Sequence, residues 1–383
     1  MSFYNILAED LKSIKKDIDI LLTLIAGVLI YAFFYPQPYL NQNVTNVDIA
    51  IVDLDRSKSS RDMIFMIQAS PLTNIVLNEN SIDEAKKSVL EQKIEGFIVL
   101  PENFERDLYL NKMPTVAIGA NNSFFLLNKS VVESALSAMF EKSAQLKAYN
   151  IMLDGSSQKR AIEDVNMFEF KIHNLFNPQN SYKQYVVPAV FIIILQQMFL
   201  IGVALLSAGY SEKIESKGYA GHYKNSNIFL NILSKIIIFT TLFMFYEMLY
   251  FGFVFDFFEI SKLSNISDLL SFGYMYSLSV VMMGLSLGEL LKKRAYVTPI
   301  VLATSMPLVF SAAFVWPLQD VEEIVLLISL FFPSNPAIFG FLSLNQMGAT
   351  LSDVPSQYTI LIMQTIFYTL IYIFLVSKNR VSA

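Results

Sequence analysis

Phe176-Asn177-Pro178-Gln179-Asn180-Ser181-Tyr182 leads into a run from Tyr185 to Ala208, 24 residues without a charge. A helix of about 20 apolar residues crosses the hydrocarbon core, so this run reads as a membrane span. The polar stretch before it closes a segment, reaching back to about Pro36, that reads as folded and water-exposed. The junction stitches a soluble domain onto a membrane bundle. The fold class is therefore an α-helical polytopic membrane protein, six transmembrane helices arranged one plus five, with an inserted extracytoplasmic α/β domain.

Composition agrees with that reading. Of 383 residues, 54% are hydrophobic and 16% charged, with a mean hydropathy of +0.46, outside the range of ordinary soluble domains. The absence of cysteine excludes disulfides, thiolate metal sites and cysteine nucleophiles. Two histidines, His173 and His222, leave no room for a histidine-rich metal or proton-relay cluster. A net charge of −5 gives no nucleic-acid footprint. Nothing matches G-x-x-x-x-G-K-[ST], and the nearest stretch, Gly218 to Lys224, has the wrong spacing. No cofactor is expected in this chain, and any ATP it depends on must sit on another subunit.

Residues 1–17 place Phe3, Ile6, Leu7, Leu11 and Ile14 at helical spacing opposite Lys12, Lys15 and Lys16, a cytoplasmic amphipathic helix suited to a membrane surface. The first span, 18–35, ends in Tyr31, Phe33, Phe34 and Tyr35 before Pro36. It reads as an uncleaved anchor, because no small-residue cleavage site follows its apolar core. The domain of 36–183 follows, then a membrane domain of 184–377 with spans at 185–208, 229–252, 269–290, 296–317 and 357–376, and a tail of 378–383. With the N-terminus inside, the inner segments hold eleven Lys and Arg, and the short outer segments hold only Lys262. That bias puts both ends in the cytoplasm. Between 322 and 345, two apolar pieces too short to span flank Pro333-Ser334-Asn335-Pro336, and they read as re-entrant helices packed against protein.

Within 36–183, strands are predicted at 47–52, 74–77, 96–101 and 115–118. Helices are expected at 60–68, at 81–92 behind a Ser81…Glu84 capping box, and at 124–150. Asp53-Leu54-Asp55-Arg56-Ser57 ends the first strand. Phosphatases of the haloacid dehalogenase type present a nucleophile and a Mg²⁺ ligand on such an Asp-x-Asp. The alternative is that these side chains build a turn and cap the next helix. Glu247 lies inside a span, where a carboxylate is costly and functional by default, unless the outer interface wets it. Gln196 and Gln197 are candidates for the path or for hydrogen bonds between helices. Gly202, Gly284 and Gly288 suit close helix contact. Tyr210 to Gly218, with Glu212, Lys213, Glu215 and Lys217, is the sizeable inward-facing loop between spans, either a solvated charged turn or a docking helix for a soluble partner.

Taken in order, four sets of residues resemble the permease subunits of type-2 ABC exporters, in the branch with a large extracytoplasmic domain after the first span. They are Val52-Asp53…Asp55…Ser57…Ser60-Arg61; Gly96 to Pro101 with Phe104 and Asp107-Leu108; Phe176-Asn177-Pro178…Tyr182…Pro188; and Trp316-Pro317-Leu318…Phe332-Pro333…Pro336. The resemblance covers nearly the whole chain. It implies a non-enzymatic transport subunit paired with a second copy of itself or a paralogous permease, each on an ABC ATPase subunit that binds ATP and Mg²⁺. It makes Glu212, Lys213, Glu215, Lys217 and Gly218 the ATPase-coupling loop. It also makes the segment around Trp316, Pro317, Pro333 and Pro336 a re-entrant closure of the outer end. The expected role is efflux of an amphipathic or lipid-like compound across a bacterial inner membrane, with membrane lipid and a periplasmic adaptor as further contacts. The alternative is a membrane receptor or scaffold that binds a ligand and transports nothing.

Overall fold

The computed structural model describes residues 2–40, 45–110, 112–120, 125–153, 176–177, 181–217, 226–312 and 321–381. Two compact units emerge, 1–42 with 174–383, and 43–173.

The first unit opens with α1 (Phe3–Lys16), which buries Ile6, Asp10 and Ile14 at i, i+4 and i+8. A charge in the middle of the buried stripe departs from the surface-lying helix expected of 1–17. Asp17 breaks the chain with extended backbone, and its side chain accepts from the Ile20 amide at 3.3 Å to cap the next helix. That helix, α2 (Ile18–Tyr39), contains a π turn at Leu22–Gly27 and closes at Pro36.

The inserted unit comprises β1 (Val47–Asp53), α3 (Lys58–Gln68), β2 (Thr73–Glu79), α4 (Ile82–Leu90), β3 (Gly96–Leu100), α5 (Phe104–Tyr109), β4 (Ala117–Ala120) and α6 (Phe125–Leu153). The sheet order is β2-β1-β3-β4; β1 runs parallel to both neighbours, and β4 is antiparallel. Ile49, Ile51 and Ile98 face α3, α5 and α6 in one core, and Ala50, Val52 and Val99 face α4 in another. A parallel strand covered on both faces needs the continuous apolar run that Ile49-Ala50-Ile51-Val52 supplies. Gly119 is required because a Cβ there would overlap the Phe97 ring on the paired strand.

Carboxylates organise the turns at the ends of these strands. Asp53 Oδ1 accepts from the amides of Asp55 and Arg56 at 3.1 and 2.9 Å, and Asp53 Oδ2 accepts from Ser60 Oγ at 2.8 Å. Asp55 Oδ2 accepts from the Glu105 amide at 3.0 Å, while Glu105 Oε2 accepts from the Ser59 amide at 2.7 Å. Ser57 caps α3 through the Ser60 amide. Both aspartates are thus spent on backbone amides, as a turn and cap require, and a phosphatase nucleophile would have to give these bonds up. The capping box at Ser81 differs from expectation by one residue: Ser81 Oγ accepts from the Glu84 amide, but Glu84 reaches back to the amide of Asn80.

Asn177 leads back into the first unit, bracketing Ser181 with one hydrogen bond to its carbonyl at 3.0 Å and one from its amide at 3.1 Å. Pro178 lies outside the described residues. Next come α7 (Lys183–Lys217), α8 (Ile228–Phe257), α9 (Ile266–Leu291), α10 (Arg294–Ser311), α11 (Glu323–Ser329), α12 (Ser334–Phe341) and α13 (Pro355–Val381). Among the described residues, five helices are long and apolar enough to cross a membrane: α2, α7, α8, α9 and α13. The span expected at 296–317 has its described part in α10, which carries Pro299 and Pro307; its end falls in 313–320, outside the described residues. Of the apolar stretch of α7, 94% is buried, so α7 is the axis of the unit, with α2, α9 and α10 packed around it. Gly202 meets Leu24, Gly284 meets Val203, and Gly288 lies against Ala204 and Ser207, giving the close approach that small residues permit.

Candidate coupling and path residues

The charged end of α7, for which a solvated turn and a docking helix were both open, is helical through Lys217. Glu212, Lys213 and Glu215 therefore sit on a rigid extension of the axis helix; the Lys217 side chain and Gly218 fall outside the described residues. Helix-forming Glu and Lys explain why the charge run continues the helix. Glu212 is turned inward, its Oε2 accepting from the Arg294 amide at 3.2 Å. Lys213 Nζ lies 5.9 Å from the Tyr210 ring centroid, and Glu215 is exposed.

Around this end the helices are joined by buried charge. Asp10 and Lys235 are both fully buried, 3.2 Å apart. Tyr210 Oη donates to Asp10 Oδ1 at 2.8 Å and Ser234 Oγ to Oδ2 at 2.7 Å, so α1, α7 and α8 meet on one carboxylate. A buried pair is tolerable only when hydrogen bonds satisfy its remaining positions, as here. Arg294 at the start of α10 pairs with Asp17, and with Asp19 at 3.0 Å. Burial raises the Asp17 carboxyl, but the Arg294 guanidinium and the Ile20 amide outweigh it and hold the group below the usual carboxylate range. Glu289 on α9 accepts from Ser207 at 3.1 Å and Ser211 at 2.8 Å, two serines one turn apart on α7. A 430 Å³ cleft beside Arg294 is lined by Asp19, Thr23, Leu205 and Thr298.

None of Asp10, Arg294 and Glu289 was singled out in the sequence. For Asp10 the signal was its place between Ile6 and Ile14 on an apolar stripe. Glu289 and Arg294 sit beside other charges at a helix end, where nothing separates a structural carboxylate from a solvated one.

Deeper in the unit, the pair α11 and α12 bends by 91° across Pro333. Such a turn must have its backbone groups satisfied by protein. Gln196 Oε1 accepts from the Ser334 amide at 2.6 Å, and Gln364 Nε2 donates to the Leu330 carbonyl at 2.6 Å. Tyr368 Oη donates to the Phe331 carbonyl. Pro336 lies in the first turn of α12, where its missing N–H has no intrahelical partner to lose. Trp316 and Pro317 fall outside the described residues. Gln197 Nε2 donates to Ser305 Oγ at 3.0 Å, tying α7 to α10. Gln196 and Gln197 thus both form interhelical bonds.

Glu247 differs from the wetted interface residue that was the alternative. It is 1% exposed, and neither carboxylate oxygen has a hydrogen-bond partner among the described residues. It rests against Gly273 of α9, where a Cβ would overlap the carboxylate. Phe251, Phe272, Tyr276 and Phe341 form an aromatic cluster across α8, α9 and α12, with Phe251 and Phe341 stacked at 4.9 Å.

An axis helix within a polytopic bundle, a bent helix pair whose backbone is satisfied by protein and an inserted α/β domain define a multi-pass helical membrane protein. Residues 18–374 match the family described as ABC-2 family transporter protein, and the chain belongs to that family. Permeases of this family are transport subunits that generally work with an ABC ATPase subunit. No curated protein matches the chain.

Proposed function

We propose that the chain is the permease subunit of an exporter that moves an amphipathic or lipid-like compound outward across a bacterial inner membrane. ATP and Mg²⁺ are bound by a separate ATPase, both chain ends are cytoplasmic, and the working unit pairs this chain with a second copy or a paralogous permease. The observation that carries this reading is the continuity of α7. One helix links Gln196, which holds the re-entrant turn at Ser334, to Glu212 and Glu215 at its charged end. A push on that end by an ATPase would be felt at the turn without an intervening flexible joint. Coupling of this kind requires the ATP-bound partner to favour one of two membrane states. The aromatic cluster and the scarcity of charge in the spans favour an amphipathic cargo over a hydrophilic one.

The test is ATP turnover by the purified permease–ATPase complex in nanodiscs. Replacing Glu215 and Lys217 by alanine is expected to lower amphiphile-stimulated turnover while the complex still assembles. Unchanged turnover would remove the coupling role of this segment. A receptor or scaffold would show no ATP-dependent movement of amphiphile in proteoliposomes.

A further inference from the structure

The inserted domain has a cavity of its own, of 310 Å³, between α3, α5, α6 and the segment 112–116. Met63, Phe104, Leu108, Met139 and Leu146 form its walls, so the domain core opens into it. Met113 stands at its edge with 97% of its surface exposed. The lining also includes Lys112, Lys142 and Lys147, and no acidic side chain. Lys142 is 9% exposed and pairs with Asp62 at 3.1 Å. Lys112 and Lys147 are exposed and have no ion-pair partner among the described residues.

An apolar void beside a core costs stability when empty. Three methionines around it supply the most adaptable apolar side chains, a usual choice where the occupant varies. An apolar interior with Ser143 and Asn150 as its neutral polar groups and lysines as its charged ones matches a hydrocarbon tail with an anionic head. At 310 Å³ the volume lies at the low end of the roughly 300–1,000 Å³ of ligand sites, which favours one chain over two.

We infer that this cavity binds a single acyl chain carrying an anionic head group, with the chain against Leu108 and Met139 and the head at Lys112 and Lys147. All the residues that line the site belong to the inserted unit, and the inference does not depend on what the membrane unit transports.

The test uses the full chain in phosphatidylcholine nanodiscs with a diazirine-bearing palmitate, photolysis, and mass-spectrometric mapping of adducts. Adducts are expected in 104–116 and 139–150, competed by palmitate and far less by hexadecanol. The double variant Lys112→Glu/Lys147→Glu should cut those adducts roughly fivefold or more, leaving adducts on the membrane helices unchanged. Met139→Trp should abolish them while the melting temperature holds or rises. Adducts confined to membrane helices, equal competition by hexadecanol, or unchanged labelling in the double variant would each overturn the inference. So would a raised melting temperature in Met139→Trp with labelling intact, which would mark a packing gap. Protection of the same peptides by self-association without fatty acid would assign the cavity to a second copy, and the inference would fail.

Discussion

At the scale of single residues, the buried Asp10–Lys235 pair makes the sharpest demand. Removing one partner leaves an uncompensated charge, so Asp10→Ala is expected to cost about 3–5 kcal/mol. Asp10→Leu combined with Lys235→Met should recover most of that loss, because an apolar pair of similar volume needs no partners. Thermal unfolding of the three proteins in one detergent checks this; equal melting temperatures would mean the charges are solvated. Glu247 is the opposite case. Its oxygens make no hydrogen bonds among the described residues that Glu247→Gln would break, so that variant should melt no lower than the parent. Gly273→Leu should reduce folded yield, since its side chain would occupy the space of the carboxylate. The sequence marked Glu247 as unusual because a lone carboxylate in an apolar run is visible by eye. Its surroundings were not visible, since contact with Gly273 joins residues from different helices.

At the scale of elements, the bend between α11 and α12 was legible because two prolines interrupt an apolar stretch. What satisfies its backbone was not, because Gln196, Gln364 and Tyr368 come from helices before and after it in the chain. Gln196→Ala leaves the Ser334 amide buried without its acceptor, a penalty of about 1–3 kcal/mol. The expected readout is faster hydrogen exchange over 334–338 with little change in α9; uniform protection throughout would show that Gln196 is dispensable. Since the chain has no cysteine, a single cysteine at Ile338 would report the same opening without background labelling. The charge run 212–217 read either as a solvated turn or as a docking helix; Glu and Lys are good helix formers, and they extend α7 beyond the apolar stretch.

At the scale of the whole molecule, acid should act on the inserted unit through the carboxylates at its strand ends. Near the strand ends, hydrogen bonds from Ser57 and the Glu105 amide overcome the desolvation that raises Asp55 and hold it low, while the Ser59 amide holds Glu105 low. A carboxylate depressed on folding contributes stability that is present above its unfolded value, near 4, and lost as pH falls through the folded value. The inserted domain should therefore lose stability below about pH 4, and Asp55→Asn should flatten that loss; pH-dependent melting followed by hydrogen exchange in 47–60 measures it. The order of units, one anchor, one α/β insert and a helical bundle, could be read from hydropathy and charge, because both follow local composition. Helix packing could not, since it depends on pairings distant in sequence. One consequence concerns what the bundle can offer to its surroundings. With 94% of its apolar stretch covered, α7 has almost no face left for lipid or for another protein. The corresponding stretches of α2, α8 and α13 are only 22%, 39% and 28% covered. Any partner or lipid that grips the membrane unit from the side does so through the less covered helices, including α10 and α11 with Leu302, Met306, Ile324 and Leu327 exposed, and reaches the axis only by moving them.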